Sequence, residues 1–161
     1  MKKLNIYLDT YVINFLFADD SPELRDITIE FFNEYVKKNI FNIYISDIVL
    51  KEILNTKDDK KKEQLLKITT DYNLEIITLS EEAESLAQIY LKEGIIPENK
   101  FEDAEHIAIA TVNQFDILLS WNYKHLANFN KKQKVKLINT RENYLYPLDL
   151  ITPMEILYED N

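Results

Sequence analysis

The chain has 161 residues, enough for one domain with a sizeable core, and its 46% hydrophobic and 29% charged residues are globular proportions. One Gly and four Pro leave no Gly-rich loop to cradle a phosphate, and the absence of Cys removes disulfides, thiolate metal sites and cysteine nucleophiles together. A net charge of −9 argues against binding by general attraction to phosphates, although divalent ions held at an acidic site reverse the local sign.

Residues 4–8 are apolar and β-prone and end at Asp9, which predicts a central strand of a parallel sheet. Ser21-Pro22-Glu23 reads as a helix start with Ser21 as N-cap, and Ile27, Phe31, Phe32 and Tyr35 recur behind it at helical spacing. A second strand is expected over 41–45. Ser46-Asp47 then opens a helix with Val49, Leu50, Ile53 and Leu54 along one stripe. The charged stretch 57–71 reads as a helix leading to a third strand at 74–78. Ser80 caps a helix carrying Ala83, Leu86, Ala87 and Tyr90, which stops near Gly94. A helix from about Asp103 is apolar almost all round and therefore buried. The fourth strand is expected at 117–120 and, after a short helical segment, a fifth at 135–139. The basic clusters at 57–62 and 131–136 read as solvated surface. No run is apolar enough to span a bilayer, and the N-terminus passes from MKK straight into the first strand. That predicts a cytoplasmic protein with no secretory signal. Strands alternating with helices predict a single α/β domain over 1–161, a three-layer α/β/α arrangement around a central, mostly parallel five-stranded sheet.

Ligands of such sheets bind at the carboxyl ends of the strands, so the residues of interest are acids and amides just after strands or opening the next helix. Asp9 follows the first strand, Asn122 the fourth, Asp103 opens the buried helix, and Glu52 lies one turn into the helix after the second strand. If the first and fourth strands are neighbours, these four converge on one cleft. Each has a plainer reading: Asp9 as a turn residue or cap of a short helix, Asp103 as a complement to a helix dipole, Glu52 as surface, Asn122 as a turn amide. Together they have a physical logic, because carboxylates forced close repel and call for a cation. Mg²⁺ or Mn²⁺ takes oxygen ligands and needs only a few carboxylates plus substrate phosphate, with a bound water as nucleophile. Thr10 and Ser120 either orient ligands or bond to local backbone, and Asn14 either contacts a phosphate or caps. His106 and His125 read as structural or surface residues, and Trp121 as a core aromatic. Glu105, two residues beyond Asp103, points about 200° away on the helix. Asp116 precedes the fourth strand and belongs at the opposite end of the sheet.

Four stretches resemble the PIN domain, and in particular the VapC-like toxin ribonucleases. They are Tyr7-Leu8-Asp9-Thr10, the run from Ile45 through Glu52 to Ile53, the run from Glu102-Asp103-Ala104 to Ala110, and Asp116 through Trp121-Asn122 to Leu126. Ile151-Thr152-Pro153 and the residues to Leu157 resemble the family's usual ending. The resemblance runs in order from residue 4 to the C-terminus. It implies a five-stranded parallel sheet, metal-dependent endoribonuclease activity on RNA, a homodimer and an antitoxin partner, with Asp9, Glu52 and Asp103 as the metal-site acids. The fourth position, usually Asp in the family, is Asn122 here, which implies weaker metal affinity or reliance on one ion.

Two other α/β hydrolytic or signalling classes fail on residues. A dehalogenase-like phosphatase needs a second acid two residues after the first, where this chain has Tyr11, and a receiver domain needs paired acids at the first strand. The remaining alternative is a PIN-like scaffold that has lost catalysis and acts as a protein- or RNA-binding module, a reading favoured by Asn122.

Overall fold

The computed structural model of the chain describes residues 2–158. Strand β1 (Asn5–Leu8) is followed by α1 (Thr10–Phe15) and α2 (Pro22–Phe31), the latter continued by a wider helical turn at Phe32–Val36. Next come β2 (Asn42–Ser46), α3 (Asp47–Leu54), α4 (Asp59–Asp71), β3 (Glu75–Ile77) and α5 (Glu81–Lys92). The described residues continue with α6 (Phe101–Val112), β4 (Ile117–Leu119), α7 (Phe129–Arg141), β5 (Asp149–Ile151) and α8 (Pro153–Tyr158). All strand pairs are parallel, in the order β3-β2-β1-β4-β5. Ile6, Tyr7 and Leu8 have no exposed surface, so β1 is covered on both faces, as its unbroken apolar run demands. Helices α1, α2 and α8 pack as one group, and α5 lies along α6 with α3 beside it. Among the described residues no helix is long and apolar enough to cross a membrane.

The fifth strand is a correction. Residues 135–139 belong to α7, not to the sheet, and β5 is Asp149–Ile151. Val135 and Ile138 are buried while Leu137 is 71% exposed, a spacing of three that belongs to a helix. Asn128 starts that helix by accepting from the Lys131 backbone N–H at 2.9 Å. Two further readings change in detail. Ser21 stands at the start of α2 without a side-chain capping bond. The basic cluster at 131–136 is not wholly solvated: the Lys131 ammonium donates to the Ile95 carbonyl, and Lys132 pairs with Asp149 at 3.0 Å.

The single glycine, Gly94, ends α5 with φ +75, and Asn39, Asn73 and Asn143 take the same left-handed conformation after other helices. At the amino end of the sheet Asp116 accepts from the Asn5 backbone N–H at 2.8 Å and from the Tyr146 hydroxyl at 2.5 Å. At the other end β1 and β4 leave the sheet together: Leu8 is in register with Leu119, and the Asp9 N–H donates to the Leu119 carbonyl at 3.3 Å. The order of strands reverses between β1 and β4, the place at the carboxyl edge where sheets of this kind take their ligands.

Candidate active site

Asp9 is the first residue past β1 and has no exposed surface. It caps α1 with Oδ1, which accepts from the Val12 N–H at 3.2 Å, while Oδ2 accepts a short bond from the Ser120 hydroxyl. Ser120 is held in turn by the Asn122 N–H at 2.9 Å. Burial pushes the Asp9 carboxyl up to about 7; the charge of His106 and the bonds from Ser120 and Val12 oppose this, and the Asp103 charge adds to it. Asp103, in the first turn of α6, is 7% exposed and is pushed up by the same cause, burial. His106, Lys100 and Asn122 hold Asp103 down, and the Glu52 charge raises it.

Glu52 reaches the cluster from α3. Its Oε1 accepts from His106 Nε2 at 2.7 Å and from the Thr10 hydroxyl at 3.0 Å. Asn122 donates through Nδ2 to Asp103 Oδ2 at 3.2 Å, while its Oδ1 accepts from the His125 N–H at 3.1 Å. The amide therefore turns a donor to the acids and spends its oxygen on the turn after β4. Asp9, Glu52, Asp103 and Asn122 thus meet where β1 and β4 end. Thr10 and Ser120 each hold one of the acids. Asn14 is half-buried on α1 and, among the described residues, makes no side-chain bond to the acids. Glu105 is raised first by burial, with the charges of His106, Glu102, Lys51 and Glu84 beside it. Trp121 is buried and donates to the Thr28 hydroxyl at 2.8 Å.

Near the three acids the sequence reading set His106 aside as structural or surface and gave Tyr7 and Tyr11 no role at the site. His106 is 2% exposed and lies among all three: burial pulls its imidazole down, but the bond to Glu52 and the charges of Glu52, Asp9 and Asp103 outweigh that and raise it. Its position three residues after Asp103 was the available signal, since positions i and i+3 share a helix face. Tyr7, on the central strand, carries its hydroxyl to Ser46 Oγ at 2.7 Å and to His106 Nδ1 at 2.6 Å. Tyr11 is 40% exposed, and its hydroxyl is raised by burial and by the charges of Asp103, Asp9 and Glu52, which sets it at the rim. On the Asn122 side, burial and the charges of Lys131, Lys124 and Lys100 lower His125.

A hard divalent cation fits this donor set chemically. All three acids offer oxygen, and Glu52 Oε2 and Asp103 Oδ1 accept no hydrogen bond among the described residues. Two of the acids resist ionisation because they are buried together, a cost that a bound cation removes. The side chains as placed do not close a full shell: among the described residues no group of three or more His, Cys, Asp and Glu is gathered tightly enough to hold an ion. A recess of about 370 Å³ lies elsewhere, lined by Asp116, Lys132, Tyr144, Tyr146 and Asp149 at the amino end of the sheet, and the acids take no part in it.

No protein-family model and no curated protein matches the sequence. Solved structures do. The chain is similar to VapC20 of Mycobacterium tuberculosis, a sarcin–ricin loop cleaving toxin, at 14% identity and TM-score 0.59 over 74% of this chain and 92% of that one. It is similar to VapBC2 of Rickettsia felis, bound to a DNA fragment from its promoter, at 23% identity and TM-score 0.53 over 75% and 90%. A toxin–antitoxin complex from Klebsiella pneumoniae matches at 20% identity and TM-score 0.57 over 78% and 93%. The chain therefore has the fold of the VapC toxins, the PIN-like α/β domain, with all five strands parallel.

Proposed function

We propose that the chain is an endoribonuclease dependent on Mg²⁺ or Mn²⁺, a cytoplasmic homodimer acting as the toxin of a toxin–antitoxin pair. The observation that carries the reading is the approach of Asp9, Glu52 and Asp103, from three separate elements, at the carboxyl edge where the strand order reverses. The partner reading draws support from the toxin–antitoxin complexes of the same fold. RNA as substrate draws support from VapC20, which cleaves the sarcin–ricin loop. It draws more from the charges of Lys100, Lys124 and Lys131 that act on His125, and from the exposed rings of Phe101 and Tyr123, next in sequence to Lys100 and Lys124, and of Tyr11, which feels the acids. Cations for the backbone and aromatic faces for unstacked bases are what a strand of RNA requires.

In this reading Glu52 Oε2 and Asp103 Oδ1, which accept no hydrogen bond among the described residues, would hold the ion together with a remaining lone pair of the Asp9 carboxylate, whose two oxygens each accept one bond. A bound dication polarises the scissile phosphodiester and makes a water nucleophilic near neutral pH. The chain supplies the rest. Ser120 and the Val12 N–H fix Asp9, Thr10 and His106 fix Glu52, and Asn122 donates to Asp103. Burial of Asp9 and Asp103 keeps bulk water from screening the charges. Lys100 places a positive charge near Asp103, where the phosphate would lie.

Purified protein incubated with single-stranded and structured RNAs tests this. Cleavage with Mn²⁺ that stops in EDTA and in Asp103→Asn supports it; cleavage that persists in either rejects it. A second reading, the scaffold without catalysis, is favoured by the Asn122 amide nitrogen standing where the family has an acid. RNA binding with no cleavage in any divalent ion would select that reading.

A further inference from the structure

We propose that His106 is the positioning residue of Glu52, and that Ser46, Tyr7 and His106 form a buried line of hydrogen bonds that fixes which carboxylate oxygen Glu52 offers. The inference rests on the cation-binding reading of the site and deepens it. Of the three acids, Asp9 is anchored by the end of its strand and Asp103 sits in the first turn of its helix. Glu52 alone has a long stem and keeps 30% side-chain exposure, so it has the most rotamer freedom to lose. The line removes that freedom. It starts at Ser46, fully buried at the end of β2, crosses to the Tyr7 hydroxyl on β1 at 2.7 Å and to His106 Nδ1 on α6 at 2.6 Å, and ends on Glu52 Oε1 at 2.7 Å. A carboxylate only accepts, so Nε2 carries the proton whether the ring is neutral or charged, and the arrangement holds in both forms. Oε1 is then doubly occupied, by His106 and by Thr10, and Oε2 is left as the ligating oxygen. An apolar side chain at 106 would pack in the same space without the desolvation cost of an imidazole. The bond from Nε2 to Glu52 is what the ring gives in exchange for that cost.

The test measures Mn²⁺ affinity without RNA, by calorimetry, in wild type, His106→Leu, His106→Gln and Tyr7→Phe. His106→Leu should weaken Mn²⁺ roughly 10- to 100-fold, the range for lost support of a ligand. His106→Gln should recover most of that loss, because its amide presents an N–H near the Nε2 position. Tyr7→Phe, which frees the ring but keeps the core, should fall between, and it carries the comparison if His106→Leu does not fold. In EDTA, nitrogen-15 spectra of the imidazole should show a proton on Nε2. Unchanged affinity in His106→Leu or Tyr7→Phe, a Gln variant no better than Leu, or a ring protonated on Nδ1 alone would overturn the inference and leave the nuclease reading standing. A wild type that binds no Mn²⁺ overturns both.

Discussion

Asp9→Asn should make the metal-free protein more stable, in proportion to pH. Asp9 titrates near 3.8 as a free carboxyl and at about 7 in the fold, because burial raises it. The folded chain therefore holds the proton more tightly than the unfolded chain. The stability this provides is complete below pH 4, drains away as pH rises, and is gone once pH passes about 7. That displacement amounts to roughly 4 kcal/mol. Asparagine never ionises and fits the same partners: its oxygen takes the Val12 N–H, and its amide donates to Ser120 Oγ as a protonated Asp9 would. In EDTA the variant should match wild type near pH 4 and exceed it by up to about 4 kcal/mol at pH 8, or roughly 8–16 °C in Tm for a domain of this size. Thermal unfolding followed by circular dichroism between pH 4 and 8.5 measures the difference. Two curves that stay parallel across that range would mean that Asp9 is not a buried, disfavoured anion, and the case for a charge-starved pocket would fail with it.

The same cost predicts the response to metal. Mn²⁺ at a hundred times its Kd should stabilise wild type by about 2.7 kcal/mol and leave Asp9→Asn unmoved, read as a Tm shift. Asn122→Asp should restore a fourth negative charge beside Asp103 and tighten Mn²⁺ binding on the order of tenfold, while lowering Tm in EDTA through like-charge repulsion; a calorimetric Kd no tighter than wild type would contradict it. Lys100→Gln should weaken binding of a single-stranded RNA in EDTA and reduce the salt slope of log K by about 0.7, measured by fluorescence anisotropy; an unchanged slope would remove Lys100 from the RNA path.

Much of this architecture is legible in the sequence because it depends on local signals. The strands β1, β2, β3 and β4 announce themselves as short apolar runs, and Ser46, Asp58, Ser80 and Asn128 each accept a capping bond at the start of a helix. The fifth strand was misplaced because residues 135–139 hold three apolar side chains, Val135, Leu137 and Ile138, in five positions, too short a run to separate a strand from a helix by period. Asp149–Ile151 has only three residues and follows a loop, so it gave no periodic signal at all. Asp9, Asp103 and Asn122 were picked out by their positions after strands or at a helix start, and Glu52 by its place on the helix after β2 at the edge of the apolar stripe. His106 was not, because a histidine on an apolar helix is normally core. Its meaning appears only when Tyr7 and Glu52, 99 and 54 residues distant in sequence, close on its two ring nitrogens.

Asp116 has a consequence that reaches the far end of the sheet. It receives the first N–H of β1 and the Tyr146 hydroxyl, and so clamps β1 against β4 at their beginnings. Because side chains alternate along a strand, a slip of one residue would turn Tyr7 and Asp9 to the wrong faces at once. β1 is four residues long, so this clamp works across roughly 13 Å. An alanine at 116 would loosen the alignment by which Asp9 meets Ser120 while touching neither, and the carboxylate pocket would lose its focus from the opposite rim of the protein.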